Sequence, residues 1–177
     1  VEAHRSGSAP RMSRRRLPEV AIGETIAGET ACVRTFEDFP RSFLSLISEP
    51  RRRWLAVTDS LGRVLLLEAR TLVVVRLWKG YREAQCGWLE AEGGSGGCPS
   101  FLAIYAPRRG LLELWAVPTG ERICAQVVGS DCALLSPPPM LAPLDTAQVA
   151  LRWRSRCYLL QKSSGVLSLL SPSVSTV

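Results

Sequence analysis

The chain has 177 residues, of which 46% are apolar and 21% charged, a composition typical of a folded globular protein, so disorder along its whole length is excluded. The net charge is +6, but much of the excess lies in residues 1–16, where five arginines accompany the single acid Glu2. A nucleic-acid-binding domain is expected to carry its positive charge on the folded surface, so this distribution argues against that class.

The first predicted segment is a basic, disordered tail over residues 1–20, which contains Gly7, Ser8 and Pro10. We predict that residues 21–177 form the folded domain, with a first strand at Ala31–Thr35. No apolar run in the chain reaches the roughly 18–20 residues that a membrane-spanning helix needs.

Beyond residue 40, short apolar runs rich in Val, Leu and Trp alternate with turn residues and leave no room for a long helix. This pattern predicts antiparallel strands joined by tight turns. Two groups of four strands are expected, namely Phe43–Ile47, Trp54–Thr58, Val64–Leu67 and Leu72–Trp78, then Gln85–Leu89, Phe101–Tyr105, Leu111–Val117 and Arg122–Val128. A third round begins near Cys132 and continues beyond a Pro-rich loop with Val149–Trp153, Cys157–Leu160 and Val166–Leu170.

The strand groups recur. A shift of 47 residues places Leu55–Val57 on Leu102–Ile104 and Val64-Leu65 on Leu111-Leu112, and a shift of 55 places Gly110–Leu112 on Gly165–Leu167. Four strands repeating at about 40–50 residues are typical of a propeller blade. The predicted fold is therefore all-β, a partial β-propeller with two clear WD40-like blades and an incomplete third. The alternative, a β-sandwich of unrelated hairpins, explains the strands but leaves the recurrence unexplained.

A closed propeller needs about four to eight blades. The expected blades are too few for a ring, so we expect the chain to be a fragment of a larger propeller, or its missing blades to come from elsewhere.

We predict no catalytic residue, no metal and no cofactor, and hence no enzyme. The single histidine, His4, lies in the predicted tail, and the six cysteines show no C-x-x-C spacing. Cys124 and Cys157 are expected to be reduced and to act as small apolar residues. Glu68 and Glu113 are expected at strand ends or on solvent faces, and the Gly-rich loop at 93–97 is followed by no Gly-Lys-Ser/Thr.

Two clusters combine cations and aromatic surface, as protein interfaces do. Lys79, Tyr81 and Arg82 form the first, and Arg108 and Arg109, in a turn, form the second. We predict these five residues as candidates for binding a partner, while solvated loops are the alternative. Trp78 and Trp88 are expected to fill the space between blades, and the Arg51–Arg53 turn to be solvated, with contact to anionic lipid as the other interpretation.

Three stretches resemble the non-catalytic subunit family of the Rab-three GTPase-activating protein. They are RLWKGYREAQCGW at Arg76–Trp88, FLAIYAPRRGLLELW at Phe101–Trp115 and AVTDSLGRV at Ala56–Val64. The likeness is strong over residues 55–117 and weaker to about residue 170. The family usually has a longer insertion where this chain has its Gly-rich loop.

The resemblance implies a non-catalytic scaffold that binds a separate catalytic subunit and helps to regulate Rab small GTPases in membrane traffic. It implies a cytoplasmic location with peripheral contact at endoplasmic reticulum membranes, and it places the GTPase-activating arginine in the other subunit. We expect no nucleic-acid partner. A nucleic-acid-associated β-domain using its Arg-rich loops is the alternative function, and a truncated product that does not fold alone is the third.

Overall fold

The structure is a computed structural model that describes residues 38–91, 99–137 and 155–172, all within one compact unit, Arg34–Val177. The predicted tail at 1–20, the strand at Ala31–Thr35, the strand at Val149–Trp153 and the Gly-rich loop lie outside the described residues. Within them, the chain is almost entirely β-structure, and its only helical element is one 3-10 turn at Pro107–Arg109.

The described residues form eleven strands that build three antiparallel sheets. The first sheet contains β1 (Phe43–Ser48), β2 (Trp54–Asp59), β3 (Arg63–Glu68) and β4 (Val74–Lys79). The second contains β5 (Gln85–Glu90), β6 (Ser100–Ala106), β7 (Leu111–Ala116) and β8 (Arg122–Val127). The third contains β9 (Cys132–Leu135), β10 (Tyr158–Gln161) and β11 (Leu167–Leu169).

Strands that follow each other along the chain are neighbours in every sheet, and none of the three sheets closes on itself. This arrangement confirms the predicted all-β fold with two four-stranded blades and an incomplete third. The strand bounds agree with the expected ones to within about two residues, because alternating apolar runs and tight turns leave little freedom in where a strand starts.

A β-bulge recurs at the same place in the first two sheets. In the first sheet Leu66 pairs with Arg76 while Leu67 pairs with Val74, so the register shifts between them. In the second sheet the register shifts in the same way between Leu114 and Trp115, which pair with Cys124 and Arg122. A shared irregularity at equivalent positions is expected of repeats of one unit rather than of unrelated hairpins.

The register also refines the spacing of the repeat. Val57 pairs with Leu65, and Ile104 pairs with Glu113, so the third strands are related by 48 residues and Leu65 corresponds to Glu113. The expected alignment of Leu65 with Leu112 was therefore wrong by one residue, because the turn before β7 holds one residue more. The 55-residue shift is consistent with the pairing of Leu160 with Leu167.

The first and second sheets pack face to face through a cluster of large side chains. Trp54, Val64, Leu66 and Trp78 on the first sheet belong to the same buried cluster as Trp88 on the second. The rings of Trp78 and Trp115 meet edge to face with centroids 5.5 Å apart, a favourable geometry for aromatic pairs. The prediction that Trp78 and Trp88 fill the space between blades is confirmed.

A second cluster joins the second and third sheets. Tyr105, Leu112 and Leu114 of the second sheet pack with Leu134 and Cys157 of the third. The second sheet is thus covered on both faces, which explains why every residue of β6 is buried.

The cysteines take different environments. Cys86, Cys124, Cys132 and Cys157 form no disulfide. Cys157 is buried and acts as a small apolar residue, as expected, whereas the same expectation was wrong for Cys124, which is exposed on the outer strand β8.

Candidate functional site

Four loops meet at one end of the stacked sheets, here called the cationic end. They are the loops at 59–62, 80–84, 107–110 and 128–131, which connect β2 to β3, β4 to β5, β6 to β7 and β8 to β9. The Tyr81 amide donates to the Gly62 carbonyl at 2.9 Å, and the Val128 amide donates to the Gly110 carbonyl at 2.8 Å. Backbone hydrogen bonds therefore join the first loop to the second and the third loop to the fourth.

The candidate binding residues are brought together at this end. The Arg108 guanidinium pairs with the Glu83 carboxylate, its Nε donating at 2.9 Å, and the Arg109 guanidinium lies 5.5 Å from the centre of the Tyr81 ring. The hydrogen bond from Arg108 lowers the pKa of Glu83. The 80–84 loop and the turn before β7 are thus linked by one ion pair and one cation–π contact.

Lys79 and Arg82 are exposed at the same end. Neither forms an ion pair with another residue of the described ranges, so both charges are available to solvent or to a partner. Four cations and the acid Glu83 share the surface formed by residues 79–83 and 108–109, and the exposed Asp131 of the neighbouring loop is a second acid at this end. The surface therefore keeps a net positive charge.

Tyr81 has a different environment from the other four candidates. Its ring is buried, and its hydroxyl donates to the Glu113 carboxylate, which also accepts from Arg122 Nη1 at 3.2 Å. Burial, followed by the hydrogen bond to Glu113, raises the pKa of Tyr81 to about 12. Tyr81 anchors the loop to the core of the second sheet and presents its ring to Arg109.

The expectation that Glu113 faces solvent was wrong, since the side chain is only 1% exposed. Glu113 lies on the face of β7 that packs toward the first sheet, where Tyr81 and Arg122 compensate for the loss of hydration of its charge. A single acidic residue in an apolar strand usually faces solvent. The sequence pattern of β7 therefore did not reveal that Glu113 is buried.

A second network fixes the turn between β2 and β3. The buried Asp59 carboxylate accepts from the amides of Leu61 at 3.0 Å and Arg63 at 2.8 Å, and from Arg63 Nε at 2.5 Å. Burial works in the opposite direction, but these hydrogen bonds hold the pKa of Asp59 below its ordinary value. Arg63 also pairs with Asp38 at 2.5 Å. The Arg63 charge is thereby neutralised, so it adds nothing to the cationic end.

The arginine turn between β1 and β2 belongs to the opposite end of the first sheet. Arg51 pairs with Glu90 at 3.3 Å, and the Arg53 guanidinium lies 5.1 Å from the centre of the Trp54 ring. Two of its three cations therefore have partners within the protein, and Arg52 is exposed.

The described residues contain no group of three or more His, Cys, Asp and Glu side chains placed to hold a metal ion. They also contain no helix of the length and apolar character needed to cross a membrane. The arrangement at the cationic end is suited to binding an anionic surface.

Two four-stranded sheets and a three-stranded third sheet, all with strands in chain order, define the chain as a β-repeat protein built from propeller-like blades. The family model described as the Rab3 GTPase-activating protein regulatory subunit N-terminus matches residues 6–135. The chain belongs to this family, which confirms the resemblance drawn from its motifs.

The curated relatives include the Rab3 GTPase-activating protein regulatory subunit of Caenorhabditis elegans, 40% identical over 88 residues. The match covers 49% of this chain but only 7% of that relative. The family is named for a regulatory subunit, and neither name gives support to the nucleic-acid-associated alternative.

Proposed function

We propose that the chain is part of a non-catalytic regulatory scaffold of a Rab GTPase-activating complex, and that its cationic end binds the catalytic subunit. Family membership supports the regulatory role. The observation that carries the choice of surface is that Arg108 pairs with Glu83 and Arg109 lies over Tyr81, which joins two loops into one surface beside the exposed Lys79 and Arg82. A surface with clustered, partly uncompensated charge promotes association with a partner of opposite charge.

The geometry supports this role in a second way. Residues 80–84 are held by the buried contact of Tyr81 with Glu113 and by the hydrogen bond to Gly62. Loops fixed on a rigid scaffold lose little conformational entropy when they bind. Lys79 and Arg82 therefore project from a preorganised surface, and replacing them leaves the core unchanged.

The proposal is tested by measuring the binding of the chain to the purified catalytic subunit. The double variant Lys79→Glu/Arg82→Glu should weaken binding by about tenfold or more, since each reversal replaces an attraction with a repulsion. Arg70→Glu, an exposed reversal in the turn between β3 and β4 at the other end, is the matched control and should bind like the parent. Equal affinity of the double variant and the parent would exclude the cationic end as the binding surface.

The non-catalytic part of the proposal has its own test. The purified chain mixed with a GTP-loaded Rab should leave the rate of GTP hydrolysis unchanged. Arg108 forms an ion pair with Glu83, and no catalytic group lies beside it within the described residues. Acceleration of hydrolysis that disappears in Arg108→Ala would show instead that this arginine acts directly on the nucleotide.

We also propose a cytoplasmic location with peripheral contact at endoplasmic reticulum membranes and a role in membrane traffic. The exposed Arg52 and the cations of residues 79–82 are positioned at opposite ends of the first sheet, and each can approach an anionic leaflet. Salt-sensitive sedimentation of the chain with vesicles containing phosphatidylserine tests this contact, and sedimentation equal to that with neutral vesicles would rule it out.

A further inference from the structure

Glu83 is the acid within residues 79–83 and 108–109, the surface that carries four cations. The other acid named at this end, Asp131, accepts from the Ser163 amide at 2.8 Å, so it is engaged with the turn between β10 and β11. Glu83 instead forms an ion pair with Arg108. The chain therefore neutralises one cation of its own proposed binding surface.

The ion pair between Arg108 and Glu83 uses a single carboxylate oxygen. Arg108 Nε donates to Glu83 Oε1 at 2.9 Å, and Arg108 Nη2 donates to the same oxygen. The stronger and more specific arginine–carboxylate pair is a fork, in which two parallel hydrogen bonds reach two different oxygens. Glu83 thus occupies the donor edge of Arg108 without forming the best pair that this edge can make.

Both partners of this ion pair are accessible to solvent. The side chains of Arg108 and Glu83 are 57% and 58% exposed. Ion pairs with this degree of exposure are weak, because water and salt screen both charges. A carboxylate supplied from outside the chain can therefore replace Glu83 on Arg108 at little cost, and it gains if it forms the fork that Glu83 does not form.

The backbone of Glu83 is a second, independent observation. Its φ is 60°, in the left-handed region that favours glycine and strains a residue with a side chain. Glu83 lies in a turn in which the Ala84 amide donates to the Tyr81 carbonyl at 3.2 Å, and glycine would fit this turn with less strain. Strained residues concentrate at functional sites. What glutamate adds at this position is the carboxylate that pairs with Arg108.

We propose that Glu83 competes within the chain for Arg108, and that a carboxylate from an acidic segment of the catalytic subunit displaces it on binding. This inference rests on the proposed function and names the ligand class and the residue that limits the affinity. The ligand class follows from the group that Arg108 already holds, which is a carboxylate. A partner must displace Glu83 before it gains Arg108, so the pair also selects against weakly acidic partners.

Equilibrium binding of the full chain to the purified catalytic subunit tests the displacement. Glu83→Gln removes the competing charge and keeps the size of the side chain, so it should tighten binding by about two- to fivefold, the range expected for one exposed ion pair. Glu121→Gln is the matched control, because it removes one exposed acid from the turn between β7 and β8 at the other end. It changes the net charge equally and should bind like the parent.

A second substitution shows whether the gain depends on Arg108. In the Glu83→Gln background, Arg108→Gln should abolish the tighter binding, because the freed guanidinium is the group that receives the incoming carboxylate. An ion pair that only holds the two loops together predicts instead that Glu83→Gln weakens binding. That result, or a gain that survives the loss of Arg108, would overturn the proposal.

Poly-L-glutamate as a second probe separates failure of this inference from failure of the proposed function. It presents carboxylates alone, so Glu83→Gln should bind it about two- to fivefold more tightly than the parent does. If this gain appears while neither Glu83→Gln nor Lys79→Glu/Arg82→Glu alters binding of the catalytic subunit, the competition for Arg108 stands and the proposed function is wrong. If Lys79→Glu/Arg82→Glu weakens binding of the subunit while Glu83→Gln changes the affinity for neither probe, the proposed function stands and this inference is overturned.

Discussion

The contact of Tyr81 with Glu113 is a buried polar interaction in a junction whose cluster of side chains is mainly apolar. Leu65 occupies the position equivalent to Glu113 in the first sheet, so the repeat itself tolerates an apolar residue there. The charge in the second sheet is therefore specific to this junction. We infer that it fixes the 80–84 loop, whose Tyr81 supplies the hydrogen bond.

A double-mutant cycle measures this coupling. Tyr81→Phe should lower the free energy of unfolding by about 1.5–3 kcal/mol, because it removes a hydrogen bond to a buried charge. Glu113→Leu should cost about 1–3 kcal/mol by leaving the Tyr81 hydroxyl unpaired. The double variant should cost clearly less than the two together, since both partners are then apolar, while the half-exposed Arg122 returns to water. Strictly additive costs in urea unfolding would show that the two side chains do not interact.

The same residues show what could be predicted at this scale. The cations and the aromatic residue of the candidate surface were identified from local sequence, because exposed loops follow directly from turn residues. The contacts that join them are between residues 25 and 32 positions apart, Arg108 with Glu83 and Tyr81 with Glu113. Such pairs depend on how loops of neighbouring sheets meet, which a local pattern of apolar and polar residues does not contain.

The thiols of Cys157, which is buried, and of Cys86, which is partly buried, should make the stability of the protein fall at alkaline pH. Burial, with some repulsion from Cys157, raises the pKa of Cys86 to about 12, and burial raises the pKa of Cys157 to about 11. An unfolded thiol ionises near pH 8.5. The stabilisation that comes from the raised pKa of these thiols is complete below about pH 8.5. It is lost as the pH rises toward 11, because between these pH values only the unfolded chain releases the thiol protons.

We therefore expect the urea midpoint to fall between about pH 8.5 and pH 10. In Cys86→Ala the decline should be shallower by up to about 1.4 kcal/mol per pH unit, which is the limit for one proton. Unfolding curves of the parent and the variant at several pH values check the difference in slope. Parallel declines in the two proteins would mean that the Cys86 thiol ionises equally in the folded and unfolded chains.

At the scale of single elements, the sequence predicted the strands but not the β-bulges within them. The alternating runs that become β2 and β6 set the strands and their order, whereas the shared bulge in β4 and β8 appears only in the hydrogen-bonded register. The additional residue before β7 was missed for the same reason. It lies in the 3-10 turn at Pro107–Arg109, and a turn length is fixed by the strands it connects.

The turn that follows gives a test at this scale. Gly110 and Gly165 are equivalent in the repeat and both have left-handed φ, at 59° and 69°. A Cβ on Gly110 would lie 2.9 Å from the carbonyl carbon of Gly129, whereas a Cβ on Gly165 would have no atom within 4 Å. Gly165→Ala should thus cost only the conformational strain of about 1–2 kcal/mol, and Gly110→Ala should cost a further 1–3 kcal/mol or so from the clash. Thermal unfolding of the two variants measures the difference between their losses of stability. Equal losses would exclude a steric contribution from Gly129.

At the scale of the whole molecule, the second sheet lies between the other two described sheets. All seven residues of β6 are buried, whereas every residue of the outer strands β8 and β11 is exposed. Amide hydrogens should therefore exchange most slowly in β6 and β7 and fastest in β8 and β11, because exchange follows the free energy of local opening. Hydrogen–deuterium exchange read by mass spectrometry resolves these strands, and equal protection of β6 and β8 would contradict a central second sheet.

The junction between the first and second sheets and the junction between the second and third sheets should each be weakened separately by mutation. Trp88 is buried in the first junction and donates from Nε1 to the Ile47 carbonyl at 3.4 Å, so Trp88→Ala should cost about 3–5 kcal/mol and speed exchange in β2, β3 and β6. Leu134 lies in the second junction, and Leu134→Ala should speed exchange in β6, β7 and β10 while leaving β2 protected. Because stacked repeats contact only their neighbours, each lesion should reach the second sheet but not the sheet beyond it. If Leu134→Ala exposed β2 as fully as Trp88→Ala does, the three sheets would unfold as one unit rather than through two separable junctions.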